Sequence, residues 1–103
     1  MPRIARHLTI TGKVQGVWYR AWTVETARSL GLAGWVRNRT DGSVEAVVEG
    51  DDRAVDQFLA LARVGPAAAR VAAVETEDVP VQYKSDFHTV SYTHLTLPTK
   101  RIV

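Results

Sequence analysis

The fold of this chain is decided by one stretch near its start, Gly12-Lys13-Val14-Gln15-Gly16-Val17-Trp18-Tyr19-Arg20. The segment before it alternates apolar and polar residues, as a strand does, and the segment after it carries apolar residues at helical spacing. The N–H groups of a helix start and of a glycine loop lack intrahelical partners, and an arginine fork binds two oxygens at once. The stretch therefore predicts an anion site, with phosphate as the expected ligand.

Outward from this stretch, periodicity divides the chain into strands and helices. Alternation of apolar and polar residues predicts strands, and apolar residues three and four positions apart predict helices. The predicted elements are, in order, a strand over Ile4–Ile10, a helix carrying Tyr19, Thr23, Ala27 and Leu30, strands over Gly34–Asn38 and Val44–Val48, a helix over Val55–Ala62, a strand over Arg70–Thr76 and a short strand within Gln82–Thr89.

Turn and cap signals support these divisions. Gly31 before Leu32 predicts the end of the first helix, Asp41-Gly42 predicts a hairpin, and Asp51-Asp52 predicts the cap of the second helix. Two helices in a βαββαβ order can cover only one face of a sheet. We therefore predict an α+β fold, a ferredoxin-like sandwich with two helices on one face of a mostly antiparallel sheet of four or five strands.

Composition limits the classes of protein to which the chain can belong. It has 103 residues, of which 46% are hydrophobic, and it has no cysteine. The length suits a single domain, and the lack of cysteine excludes disulfides, thiolate catalysis and cysteine-bound zinc. No apolar run approaches the roughly 18 residues of a membrane span, and nothing resembles a signal peptide. We expect a cytoplasmic protein that does not bind a membrane.

Charge is distributed unevenly along the chain. Residues 1–40 carry a net charge of +6, and residues 41–90 carry −6. Two interpretations remain open: a surface on which the charges mix after folding, or a local positive field around an anionic substrate. General nucleic-acid binding is disfavoured because residues 1–90 have no net charge.

The end of the chain breaks the pattern of the rest. Ser91–Thr99 is rich in threonine, has no helical period, and contains Pro98 where a strand would need a donor. We assign residues 1–90 to one domain and interpret residues 91–103 as an atypical tail, non-native or disordered, joined between Phe87 and Ser91. An ordinary terminal strand is the alternative.

Few side chains are placed to carry chemistry. No serine lies in a nucleophile elbow, and His7, His88 and His94 have no metal-ligand spacing. Neither a metal nor a cofactor is therefore predicted. Alternation places His7, Glu45 and Glu49 on the exposed sides of their strands.

Asn38, near the end of the second predicted strand, has two interpretations. Its amide offers both a donor and an acceptor, which can orient a water molecule. Asparagine also commonly caps a turn, and Asp41-Gly42 follows closely. The residues alone favour the turn cap.

Two segments of the chain resemble the signature motifs of the acylphosphatase family. Gly12–Arg20 matches the pattern glycine-x-Val-Gln-Gly-Val-x-aromatic-Arg at every fixed position. Gly34-Trp35-Val36-x-Asn38, followed by Asp41-Gly42-x-Val44-Glu45, matches the second motif. The agreement in element order extends from about Arg3 to Phe87.

The resemblance implies an enzyme that hydrolyses the carboxyl-phosphate bond of a small acyl phosphate, with inorganic phosphate as product and inhibitor. It implies that Asn38 positions the attacking water, which replaces the turn-cap interpretation. The implied phosphate-binding loop consists of Gln15, Gly16, Val17, Trp18, Tyr19 and Arg20, with the Arg20 guanidinium beside the loop amides. We expect a monomer that needs no metal ion, cofactor or nucleic acid.

The chain departs from the family pattern at two places. Tyr19 stands where the family often has phenylalanine. Family members usually end in a strand such as Phe-x-Ile, whereas here Phe87 is followed by His88-Thr89-Val90, which leaves the edge strand in doubt.

Two other functions fit parts of the sequence. A non-catalytic anion-binding module of the same fold would need the loop but not Asn38. RNA-recognition motifs share the βαββαβ order, but the outward residues Thr9 and Thr11 and the segment Val44–Val48 lack the aromatic side chains that stack on bases. Hydrolysis remains the leading prediction.

Overall fold

The computed structural model describes residues 2–90, and these residues form five strands and two helices. In chain order the elements are β1 (Arg3–Lys13), α1 (Tyr19–Ser29), β2 (Ala33–Asn38), β3 (Val44–Asp51), α2 (Asp52–Ala62), β4 (Arg70–Val79) and β5 (Phe87–Thr89). The predicted element order is confirmed, including a short last strand. Residues 91–103 lie outside the described residues, so the interpretation of this tail and of the domain boundary stays a prediction.

The five strands form one sheet in the order β4-β1-β3-β2-β5. β1 pairs antiparallel with both β3 and β4, and β2 pairs antiparallel with β3 but parallel with β5. Both helices pack on the sheet, α1 against β2 and β5, and α2 against β3 and β1. This arrangement confirms the predicted ferredoxin-like α+β sandwich, with five strands rather than four.

The core lies between the helices and one face of the sheet. Alternate residues of each inner strand point towards the helices, and each helix presents one stripe at i, i+3 or i+4 spacing. The buried members are Leu8, Ile10, Val36, Val44, Ala46 and Val48 from the strands, Tyr19, Thr23 and Ala27 from α1, and Val55, Phe58 and Ala62 from α2. The first turn of α1 lies near the ends of β1 and β2, since Tyr19, Val14 and Asn38 line one cavity.

The first helix ends as the sequence predicts. Gly31 has a φ of 73°, and its N–H donates to the carbonyl of Arg28 at 3.0 Å. The N–H of Leu32 donates to the carbonyl of Ala27 at 2.9 Å, which completes a Schellman motif. The buried side chain of Leu32 then directs the chain into β2.

The cap of the second helix differs from the prediction. Asp51 occupies the N-cap position, but its side chain accepts no cap hydrogen bond. Asp52 lies in the first turn, where its negative charge favours the helix dipole. The predicted favourable charge at the helix start is therefore present, but the predicted side-chain cap hydrogen bond is not.

The sheet face opposite the helices is partly covered by the chain itself, which overturns one expectation. β4 and β5 lie at opposite edges, so the connection between them crosses this face. Glu49, expected to be exposed, is 1% exposed and accepts hydrogen bonds from the N–H groups of Gln82 and Lys84 and from the Arg3 guanidinium. Alternation along a strand shows which residues share a face, but not which face a distant segment will cover.

A second pair of residues on this face also differs from expectation. Glu45 is buried, and its carboxylate lies 2.6 Å from His7 Nε2 and accepts a hydrogen bond of 2.6 Å from Arg37 Nε. His7 is half-buried rather than exposed. Cross-strand pairing explains the contact, because β1, β3 and β2 are neighbours and place these side chains side by side.

Candidate active site

The connection between β1 and α1 takes a backbone shape suited to anions. Gly16 has a φ of 73°, and Trp18, directly before the helix, has φ 67° and ψ 20°. A left-handed residue followed by the right-handed first residue of a helix turns consecutive N–H groups to one side and forms a concave nest. The helix start adds N–H groups with no intrahelical partner and the positive end of the helix dipole.

The loop is held in place from the core side. The side chains of Val14 and Val17 are buried, while Gly16 and Trp18 between and after them are exposed. Gly12, where β1 departs from regular pairing with β4, has a φ of 120°, and a Cβ there would lie 2.2 Å from the carbonyl oxygen of Arg70. Glycine is therefore required at this position for β1 to turn into the loop beside β4.

Arg20 lies in the first turn of α1, with its side chain exposed. Within residues 2–90, its guanidinium has no ion-pair or hydrogen-bond partner, whereas Arg3, Arg6, Arg28 and Arg37 are all engaged. A cation without a protein partner beside a loop of free N–H groups is available for a ligand.

Asn38 ends β2 on the sheet face that the helices cover, opposite Val44 of β3. Its Oδ1 is buried and finds no hydrogen-bond partner in the described part of the chain. The turn that follows is closed instead by Asp41, whose Oδ1 accepts hydrogen bonds from the N–H and Oγ of Ser43 at 2.9 and 2.6 Å. These bonds from Ser43 lower the pKa of Asp41. The turn-cap interpretation of Asn38 is therefore not supported, because the side chain of Asp41 caps this turn.

A cavity of about 410 Å³ lies beside both side chains. Arg20 and Asn38 line it with the loop residues Gly16, Trp18 and Tyr19. Of the remaining predicted loop residues, Gln15 lines an adjoining cavity, and Val17 turns its side chain into the core and leaves only its backbone for a ligand.

The structure adds two features that sequence reasoning missed. Thr89 of β5 also lines the cavity, because β5 pairs in parallel with β2, the strand that ends at Asn38. Sequence predicted a last strand but carried no signal for its partner. The side-chain amide of Gln15 donates to the carbonyls of Arg39 and Ser43, whereas only its backbone was expected to act.

Known proteins resemble this chain in sequence and in fold. The profile of the acylphosphatase family matches residues 6–89. An acylphosphatase of Rhizorhabdus wittichii is 58% identical over 78 residues, which cover 76% of this chain and 79% of that protein. One from Rhodospirillum rubrum is 66% identical over 62 residues, covering 60% of this chain and 68% of the relative. The structure of an acylphosphatase from Coxiella burnetii superposes with a TM-score of 0.83 at 35% identity, covering 85% of this chain and 93% of that one.

The chain belongs to the acylphosphatase family. The family resemblance read from the two motifs is thereby confirmed, and with it the assignment of the chain as an enzyme of this class. The individual roles of the loop residues, Arg20 and Asn38 are not tested by these comparisons and stay predictions.

Tyr19, a departure from the common pattern of the acylphosphatase family, has a structural explanation. Its hydroxyl donates to the carbonyl of Ala62, at the end of α2, with a distance of 2.7 Å. That carbonyl belongs to the last turn of a helix, where no intrahelical donor is available. Burial raises the pKa of the Tyr19 hydroxyl well above its ordinary value, so the group remains a neutral donor.

Two further observations concern metal ions and membranes. Among residues 2–90, no three His, Cys, Asp or Glu side chains are close enough together to hold a metal ion. Neither of the two helices in this part of the chain is long and apolar enough to cross a membrane.

Proposed function

We propose that the phosphoryl group of an acyl phosphate binds in the 410 Å³ cavity, held by the Arg20 guanidinium and by backbone N–H groups of Gln15–Arg20. The left-handed residues Gly16 and Trp18 and the start of α1 supply the N–H groups. The guanidinium supplies a full positive charge without a competing partner in the described residues. Acyl phosphate hydrolysis is the activity of the family to which the chain belongs.

Asn38 holds the attacking water in this proposal, and its unpaired amide oxygen is the observation that carries it. A buried amide oxygen without a protein partner is expected to bind water, and here it belongs to a residue of the cavity wall. A module that only bound anions would need the loop and Arg20 but no such group. The enzymatic function is therefore favoured over a non-catalytic one.

The reaction needs little beyond positioning and charge stabilisation. The water oxygen forms a bond to phosphorus while the bond from phosphorus to the acyl oxygen breaks, and the water proton passes to a phosphoryl oxygen. The leaving group is a carboxylate, whose conjugate acid has a pKa of about 4, so no general acid is required. Loop amides and one guanidinium stabilise the charge on the phosphoryl oxygens in the transition state.

The remaining parts of the proposal follow from this site. Inorganic phosphate, the product, presents the same oxygens to the loop and is expected to inhibit. All the proposed groups come from one chain, which is consistent with a monomer. No metal is used, because Arg20 and the loop amides supply the positive charge. We place the enzyme in the cytoplasm, because the chain has no cysteine and proteins of the cytoplasm fold without disulfides.

The roles of the two side chains are tested by phosphate release from benzoyl phosphate in the presence of EDTA. Arg20→Ala is expected to lower kcat/KM by at least about a hundredfold and to weaken inhibition by phosphate. Asn38→Ala is expected to lower kcat by a similar factor while leaving phosphate inhibition within about twofold, because its partner is water. Arg63→Ala and Gln57→Ala, both exposed on or beside α2, are the matched controls.

Several outcomes would contradict the proposal. Equal loss of phosphate inhibition in both variants would show that Asn38 binds the phosphoryl group rather than water. Turnover that disappears in EDTA would show that the charge is supplied by a metal. Comparable rates on benzoyl phosphate and phenyl phosphate would require a general acid for the poorer leaving group, which the proposed site does not contain.

A further inference from the structure

Two more cavities adjoin the 410 Å³ cavity; all three are lined by Thr89, and apart from Thr89 the two share different parts of its wall. The first, of about 660 Å³, shares Arg20 and Asn38 and continues along polar residues that include Gln15 and Thr40; we call it the polar cavity. The second, of about 670 Å³, shares Trp18 and Ala21. It continues along α1 past Trp22, Val24 and Arg28, and we call it the indole groove.

The in-line course of phosphoryl transfer assigns these two cavities to different ends of the substrate. The attacking and leaving oxygens lie on opposite sides of phosphorus. If Asn38 holds the water, the attack comes from the side of the polar cavity, which is also lined by Asn38. Trp18 and Ala21 line the 410 Å³ cavity and the indole groove but not the polar cavity, so we place the leaving acyl oxygen on their side.

The indole groove is built for an apolar group. Trp18 is 80% exposed, although burial of its ring would be favourable. It lines both the 410 Å³ cavity and the indole groove. Trp22 continues the wall one turn further along α1. The Arg28 guanidinium donates to the carbonyl of Phe87 at 2.9 and 3.2 Å, and Glu25 lies in the same wall, so the charged residues that line the groove give it no net positive charge for an anionic acyl group.

We propose that the indole groove binds the acyl part of the substrate and that Trp18 selects for aromatic or alkyl acyl groups. This inference rests on the proposed function, since it takes the positions of the water and phosphoryl group from that proposal. It names the substrate class: acyl phosphates with an apolar acyl group large enough to reach the indole. Trp18 then has two roles, a backbone role in the loop and a side-chain role in specificity.

The chain offers an unusually well-matched pair of variants. Trp18 and Tyr83 are the two residues other than glycine with a positive φ in the described chain, at 67° and 57°, and they are 80% and 78% exposed. Tyr83 lies in the connection that crosses the far face of the sheet. Asparagine tolerates left-handed backbone, so Trp18→Asn and Tyr83→Asn each remove one exposed ring with little backbone penalty.

The measurement is the ratio of kcat/KM for benzoyl phosphate to that for acetyl phosphate. Trp18→Asn is expected to lower this ratio about fivefold, the scale of one aromatic contact, and Tyr83→Asn is expected to change it less than twofold. An unchanged ratio in Trp18→Asn overturns the inference, as does an equal fall in both variants. A preference for succinyl phosphate that disappears in Arg28→Gln also overturns it, in favour of an anionic acyl group.

A measurement on the wild-type protein makes the test independent of how any variant folds. Benzylphosphonate is expected to inhibit about fivefold more strongly than methylphosphonate, because only the former carries a ring into the groove. Equal inhibition by the two overturns the inference. Failure of the proposed function has a different signature, since the wild-type protein would then release phosphate from neither benzoyl nor acetyl phosphate.

Discussion

The side-chain nitrogen of Gln15 donates to the carbonyl oxygen of Arg39 at 2.7 Å. It donates also to the carbonyl of Ser43 at 2.8 Å, so one amide joins the loop between β1 and α1 to both ends of the β2–β3 turn. Asn38 directly precedes Arg39. The hydrogen bonds of Gln15 therefore fix the distance between the loop proposed to bind phosphate and the amide proposed to hold water.

Removal of this link is expected to impair catalysis more than binding. In Gln15→Ala, kcat for benzoyl phosphate should fall about tenfold, because small displacements of a positioned group are costly in rate. Inhibition by phosphate should change less than twofold, since the loop amides and Arg20 remain. Gln57→Ala, which removes an exposed amide from α2, is the control. A larger effect on phosphate inhibition than on kcat would contradict the positioning role.

Asn38 shows where sequence reasoning reached its limit. A strand-end asparagine before Asp-Gly fits both a turn cap and a water ligand, because both roles need the same amide, and the residues alone favour the turn cap. Only the family motif favoured the second role. The structure adds the physical reason: Asp41 already closes the turn with Ser43, and the Asn38 Oδ1 is buried without a partner in the described residues, on a residue that lines the cavity.

The elements themselves were predictable because each is set by local periodicity. The stripe Tyr19, Thr23 and Ala27 and the end of α1 at Gly31 depend on residues within one or two turns. The burial of Glu49 depends instead on a segment more than 30 residues later that crosses the sheet. Alternation along a strand does not show which distant segment will pack on its exposed face. For the same reason the sequence did not predict that Thr89 lines the cavity.

The hydroxyl of Tyr19 is expected to stabilise the packing of α1 against the end of α2. Tyr19→Phe removes the 2.7 Å hydrogen bond to the Ala62 carbonyl and leaves that buried acceptor unpaired. We expect the free energy of unfolding to fall by about 1 kcal/mol. Tyr83→Phe, which removes an exposed hydroxyl, should change it by less than about 0.5 kcal/mol. Urea denaturation of both variants checks the prediction, and equal stabilities would contradict it.

Truncations separate the tail from the last strand. Deletion of residues 91–103 retains Phe87, which is fully buried, and the hydrogen bond from the Val90 N–H to the Val36 carbonyl. It should leave kcat within a few-fold and change the free energy of unfolding by no more than about 1 kcal/mol.

Deletion from Gln82 onwards should lower the free energy of unfolding by more than deletion of residues 91–103. It removes β5, exposes the edge of β2 and withdraws the N–H donors of Glu49. Loss of the burial of Phe87 alone is worth roughly 1.5–3 kcal/mol. Thermal melts of the two truncations provide the comparison. Unfolding of the shorter truncation would show that the tail is a structural part of the domain.

Glu49 is expected to make the stability of the fold depend on pH in the acid range. Burial raises the pKa of its carboxyl, but hydrogen bonds from the N–H groups of Gln82 and Lys84 and from the Arg3 guanidinium outweigh burial and hold the pKa below its ordinary value of 4.5. A group whose pKa is lower in the folded protein stabilises the fold above the unfolded pKa. This contribution should be complete above about pH 4.5 and should be lost as the pH falls through the folded pKa.

Glu49→Gln isolates this contribution, because glutamine keeps the size of the side chain but carries no charge at any pH. At pH 7 the variant should be less stable than the wild type by about 2 kcal/mol, the scale of hydrogen bonds to a charged group. The difference should shrink as the pH falls from about 4.5 through the lower folded pKa, because the carboxyl takes up a proton first in the unfolded chain and only then in the folded protein. Glu75→Gln, at an exposed position of β4, controls for the general effect of removing a carboxylate. Urea denaturation of the three proteins between pH 7 and about pH 3 provides the test, within the range where carboxylates titrate. A stability difference that stayed constant over this range would show that Glu49 contributes through its shape rather than its charge.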